Sequence, residues 1–181
     1  MALVAGLHYA DSLGRGSPFH SLGPLIVNMQ SLELKIPPPA VAVFFVLLMW
    51  GISLFAPPWD VLALARISVA LAIAAVGVAF SVLGVIGLRR AKTTVNPTKP
   101  AASSSLVSSG VYSLTRNPMY LGLLFVLVSW AVFLSSPWAL LGPLLFATYI
   151  GRFQIAPEER VLSGLFGAAY PAYKARVRRW L

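Results

Sequence analysis

Of 181 residues, 58% are hydrophobic and only 10% charged, and none is Cys. A soluble domain carries about 25% charge, so the composition excludes a water-soluble fold; lack of Cys also excludes disulfides, thiolate metal sites and cysteine nucleophiles. The net charge of +9 comes mainly from basic residues beside apolar stretches, a pattern of cytoplasmic loops rather than of a nucleic-acid-binding surface.

Residues 1–28 mix Gly, Ser, Pro and single charges without a sustained apolar run, and they hold the only histidines, His8 and His20. They read as an N-terminal extension rather than a signal peptide, with Met29 a good alternative start and residues 29–181 the membrane domain. The first span is expected over 39–56, entered by Pro37-Pro38-Pro39, with Trp50 and Trp59 at an interface. The second is expected over 61–88, with Arg66 near its outer end and Gly77, Gly84 and Gly87 on small faces for close helix contact. Residues 119–151 are apolar for 33 residues. One straight helix of that length would be about 50 Å long, more than a bilayer holds. Ser135-Ser136-Pro137 supplies turn chemistry, so spans over 119–134 and 138–153 are expected. The fold class is therefore an all-α integral membrane protein of about four transmembrane helices. A cytoplasmic segment, 154–181, follows them. Pro157 with Glu158 and Glu159 signals a helix start, and two short amphipathic helices are expected, broken near Gly167 and Pro171.

Two polar clusters flank the paired spans. One is SSLVSSGVYSLTRNPMYLG, 104–122; the other is RFQIAPEER, 152–160. Two intervening spans put both on one side of a membrane, where basic loops place the cytoplasm, together with both termini. Arg116, Asn117, Tyr120, Arg152, Glu158 and Glu159 are then expected to converge on one pocket.

The string SGVYSLTRNPMYLG, followed by PEERVLSGLFGAAYPAYKARVRRW, resembles the isoprenylcysteine carboxyl methyltransferase family, which is related to phospholipid N-methyltransferases. The KIPPP and TTVNPTKP segments bring it nearest the bacterial branch. The resemblance implies a membrane enzyme of the bacterial inner membrane that uses S-adenosylmethionine. It also implies cofactor binding by Ser104, Ser105, Leu106, Val107, Tyr112, Asn117, Pro118, Met119, Tyr120 and Glu158. The family commonly has His where Asn117 and Ser104 stand here. An Arg that eukaryotic members associate with substrate corresponds to Gln154, with Arg152 the nearest replacement.

Methyl transfer from a sulfonium is an in-line displacement that depends on positioning and needs no metal. A carboxylate such as Glu158 suits the cofactor's ammonium or ribose hydroxyls, and Tyr112 and Tyr120 suit a sulfonium. Arg116 and Arg152 suit an anionic acceptor and are the candidate catalytic residues. The acceptor is a lipophilic molecule or lipid, whether carboxylate, amine or thiol. Two other readings compete: an NADPH-dependent membrane reductase of the sterol-reductase type, and a non-catalytic membrane scaffold whose arginines only anchor to lipid.

Overall fold

The computed structural model describes residues 33–55 and 59–181, so the 1–28 extension lies outside the described residues. Among them there is helix and no strand. Helix α1 spans Pro38–Ser53, α2 Ala63–Arg90 and α3 Pro118–Leu134. Prolines stand in the first turn of α1 and of α3, where a missing N–H costs nothing. Helix α3 stops at Ser135, whose φ of 52° is left-handed. Ser135 Oγ donates to Trp59 O at 2.9 Å, and Trp59 N–H donates to Ser135 O at 2.7 Å. That exchange pins the two loops at one end of the bundle.

A 3₁₀ turn, Pro137–Leu140, then leads into α4, Leu141–Ile150, a π turn, Gly151–Ile155, and α5, Ala156–Phe166. This corrects the expected helix start at Pro157. The helix that enters the fourth apolar stretch does not stop near 153 but runs through to Phe166. A proline inside a helix removes one amide donor and crowds the carbonyl four residues back, here that of Phe153. The wider π turn relieves the crowding, and the orphaned Phe153 carbonyl accepts instead from Leu34 N–H at 3.1 Å. The break at Gly167 is as expected: its φ of 50° suits glycine, and α6, Ala169–Arg176, follows. Pro171 does not break anything; it sits in the first turn of α6.

Two helices, Ala63–Arg90 and the composite Pro137–Phe166, are long and apolar enough to cross a membrane; α1 and α3 are shorter apolar helices. Their outward faces carry Phe44, Leu47, Leu64, Leu71 and Leu144, all exposed by 60% or more. A surface so apolar has lipid, not water, as its solvent. The core lies where α1, α3 and α4 meet, around the fully buried Met49, Leu127 and Phe146.

Helix α2 packs on α3 at almost backbone distance. A methyl group at Gly77 would lie 2.7 Å from the Gly122 carbonyl oxygen, and one at Gly122 would collide with Ser81 and the Gly77 carbonyl. Small residues at a crossing are how apolar helices gain contact in lipid, where no hydrophobic drive joins them. Ser129 Oγ, donating to Ala70 O at 2.7 Å, adds a polar tie higher on the same seam.

Candidate functional site

Where the long helices end, the chain builds a cap. The 91–117 loop leaves α2 and folds back over its end: Ser104 Oγ donates to Lys92 O and Ser105 Oγ to Ala91 O, each at 3.0 Å. A 3₁₀ turn, Gly110–Ser113, then presents Tyr112, whose ring lies against Gly87 and whose hydroxyl donates to Gly84 O at 3.3 Å. Burial, with Glu158 and Tyr173 nearby, raises the Tyr112 hydroxyl well above the ordinary phenol range. It therefore stays protonated and able to donate.

The C-terminal elements close the cap from the far side. Tyr173 of α6 donates to the Tyr112 carbonyl at 2.7 Å, and burial raises the neighbouring Tyr170 hydroxyl to about 12. The tail beyond α6 returns to the 115–117 turn, where the Arg179 carbonyl accepts from Asn117 Nδ2 at 2.9 Å and Thr115 Oγ1 at 3.2 Å. From the π turn, Gln154 Nε2 donates to the Pro97 carbonyl at 2.7 Å. Loop, tail and α5 thus form one wall.

Between them lies a cavity that encloses about 80 Å³. Of the residues implicated by sequence, Ser105, Leu106, Val107 and Tyr112 line it from the loop, and Asn117, Pro118, Met119 and Tyr120 from the start of α3. Glu158 lines it from α5, with Arg116 beside it. Tyr120 and Glu158 meet directly: the phenol donates to Glu158 Oε2 at 2.9 Å. Tyr120 is 4% exposed, whereas Glu158 is partly open to the cavity. Among the described residues Glu158 has no cationic partner.

Two of the residues implicated by sequence lie elsewhere. Ser104 is exposed and off the cavity wall, its hydroxyl spent on Lys92 O. Arg152 does not line the cavity either: its Nη1 lies 2.7 Å from Glu33 Oε1, and Arg160 pairs with the same carboxylate. Arg152 is on the π turn, which sets it on the side facing the segment before α1, away from Glu158.

Glu159 lines the cavity as expected, but its ion pairs were not foreseen. Its side chain is 9% exposed and gathers three cations: Arg116 Nη1 at 3.0 Å, Arg179 Nη2 at 2.8 Å and Lys174 Nζ at 3.5 Å. Consecutive glutamates at helical spacing point about 100° apart, so Glu158 meets Tyr120 while Glu159, also at the cavity wall, gathers the cations of the cap. Arg116 is accordingly shared between cavity wall and this ion cluster. The TTVNP stretch, 93–97, also lines the cavity, although sequence marked it only as part of a resemblance. Its local signal was the turn chemistry of Asn96, whose Oδ1 accepts from Thr98 N at 3.0 Å.

The family described as phospholipid methyltransferase matches residues 65–169, which include α3, α4, α5 and all but the first two residues of α2. A stretch of 63 residues, 35% of the chain, is 48% identical to an uncharacterised protein of Haemophilus influenzae and covers 100% of it. Another of 75 residues, 41% of the chain, is 37% identical to the protein-S-isoprenylcysteine O-methyltransferase of Xenopus laevis, of which it spans 26%. No solved structure is a significant match.

Proposed function

Because the chain belongs to the phospholipid methyltransferase family, we propose that this membrane methyltransferase transfers the methyl group of S-adenosylmethionine to a lipophilic acceptor at the cytoplasmic face. The observation that carries the reading is the Tyr120–Glu158 pair, an oriented carboxylate on the cavity wall with no cation of its own among the described residues. A carboxylate so placed fits a ligand that brings a positive charge and hydroxyl donors, as the cofactor's ammonium and ribose do.

The bound cofactor supplies an activated methyl on sulfur. The chain's part is to bind and orient. Glu158 takes the ammonium or the ribose hydroxyls, held in one rotamer by Tyr120. Tyr112 and Tyr120, which line the cavity, would offer aromatic surface to the positive sulfonium. Leu106, Val107 and Met119 give an apolar lining that keeps water from the reacting centre. Arg116, half spent on Glu159, orients the acceptor. Arg152 has no part in this scheme.

The membrane arrangement follows. Helices α1 and α3, of 16 and 17 residues, reach about 24–26 Å. With α2 and α4 they make four spans of a slightly thinned bilayer, the bacterial inner membrane, with both termini cytoplasmic. The domain is 29–181. The acceptor, an amine, carboxylate or thiol, arrives sideways from the inner leaflet while the charged cofactor comes from water. Neither rival reading fits as well. A nicotinamide cofactor with a 2′-phosphate needs free basic groups, and the cavity's Arg116 is already paired. A scaffold needs no oriented carboxylate.

The test is incubation of membranes carrying the chain with isotopically labelled S-adenosylmethionine, followed by identification of the labelled lipid-soluble product. In parallel, S-adenosylhomocysteine and NADPH are titrated into purified protein. Label in the lipid fraction and binding of the homocysteine compound are expected. Binding of NADPH alone would overturn the reading.

A further inference from the structure

Helices α1 and α2 both pack on α3 and leave a groove between them. Val46 of α1, Ile67 and Leu71 of α2, and Trp130 and Phe133 of α3 line it, around about 280 Å³. It is dry by chemistry. Among the described residues, the polar side-chain atoms on its walls are already used within the bundle: Ser129 Oγ donates to Ala70 O, and Trp130 Nε1 donates to Val46 O at 3.1 Å. Nothing on these walls is left to recognise a polar ligand.

The mouth differs. Arg66, one turn into α2, holds its guanidinium carbon 5.9 Å from the centre of the Phe133 ring, which itself lines the groove. Its Nε is buried without a hydrogen-bond partner, and among the described residues no carboxylate pairs with it. A buried guanidinium N–H without an acceptor is costly. The position lies about 33 Å along α2 from Leu88, so it belongs to the end of the bundle opposite the methyl-transfer cavity.

We propose that this groove is a phospholipid site: one acyl chain of an anionic phospholipid lies along it, and Arg66 holds the phosphate. The two halves of such a lipid match the two halves of the site. An acyl chain asks only for apolar contact, which the walls give. A phosphate offers the oxygen acceptors that a planar guanidinium engages in parallel. Charge selects the anionic headgroup, since a zwitterionic lipid brings an ammonium toward the same Arg66. Bound there, the lipid would fill the gap between α1 and α2 and hold them at fixed spacing on α3.

Trp130 in the groove wall provides the readout. The protein, with Trp50, Trp59, Trp138 and Trp180 changed to Phe, is reconstituted in phosphatidylcholine nanodiscs. Small fractions of phosphatidylglycerol or phosphatidylcholine carrying brominated chains are then added. The brominated anionic lipid is expected to quench Trp130 at about tenfold lower mole fraction, the worth of one charge-assisted hydrogen bond. Arg66→Gln should abolish that preference and Arg66→Lys should keep most of it. Should the tryptophan-depleted protein not fold, native mass spectrometry of the intact chain replaces it, reading whether phosphatidylglycerol is retained over phosphatidylcholine and whether Arg66→Gln ends this. Equal quenching or equal retention of the two lipids, or a preference that survives Arg66→Gln, would overturn the proposal. So would the absence of quenching by either lipid because a second copy of the chain covers the groove.

Discussion

Replacing Tyr120 with Phe takes away a single oxygen, and its effect on cofactor affinity follows from what that oxygen does. It donates to Glu158 Oε2 at 2.9 Å from a ring that is 4% exposed. A hydrogen bond to a charged group is worth about 1.5–3 kcal/mol. Without it the carboxylate loses both its orientation and a compensating dipole. If Glu158 meets the cofactor's ammonium or ribose, most of that energy appears in binding, so the Kd for S-adenosylhomocysteine should rise about tenfold or more. Burial raises the Glu158 carboxyl to about 7, so in titrations at a pH well above that, Glu158→Gln keeps the shape but removes the charge, and should cost a similar amount. The two losses act through one contact and should not add: the double variant should bind about as weakly as the weaker single variant. The assay is calorimetric titration of detergent-purified protein, with thermal unfolding of each variant as a control for folding. Strictly additive losses, or less than about a twofold change for either folded variant, would refute the proposed role.

Three other outcomes are expected. Glu159→Gln removes the only carboxylate among the described residues facing Arg116 and Arg179; it should destabilise the cap by about 3–5 kcal/mol, the cost of stranding a buried charge. Thermal unfolding and proteolysis after α5 would check this. Gly122→Leu sets a side chain against Ser81 and the Gly77 carbonyl. It should separate α2 from α3 and cost about 1–3 kcal/mol or more, read as a lower melting temperature and lost expression, whereas Gly164→Ala, with open space around it, should be silent. The third concerns pH. The hydrogen bond from Arg152, opposed by burial but helped by Arg160, holds Glu33 below the ordinary carboxylate range. A lowered folded-state pKa gives stability that is complete above the unfolded value and is lost as pH falls through the folded one. Hydrogen exchange should therefore show the Leu34 amide protected at neutral pH and released as pH falls below the ordinary carboxylate range, and Glu33→Gln should release it at any pH.

Much of the bundle was legible because its signals are local. Apolar runs, prolines at first turns and Ser135-Ser136-Pro137 give three helices and their turn, to within about three residues of Pro38–Ser53, Ala63–Arg90 and Pro118–Leu134. The continuation of the fourth helix past 153 was not legible, because its permission comes from elsewhere. The Phe153 carbonyl that Pro157 strands is satisfied by Leu34 N–H, and no pattern near 157 reveals that partner. At the site the same division holds. Motif positions from Ser105 to Glu158 come together on one cavity. Arg152 does not, since its direction depends on the π turn, and the ion cluster on Glu159 joins α3's entry, α6 and the tail. Charges that pair across such distances look, one at a time, like membrane anchors.

The π turn also explains how an acidic pair serves two purposes. A π turn holds one more residue than an α turn, so it rotates everything after it by about 100° relative to an unbroken helix. Helix α4 is set by its packing on α1 and α3 through Phe146 and Ile150, both fully buried. With that face fixed, an uninterrupted helix would carry Pro157 in the direction that Glu158 now takes toward Tyr120, and Glu158 in the direction that Glu159 now takes toward its three cations. The cavity would then lose its free carboxylate. One additional residue, placed where Pro157 demands relief in any case, leaves one glutamate free for a ligand and the other fully engaged. The strain of a proline and the division of labour between two acids therefore have the same structural solution.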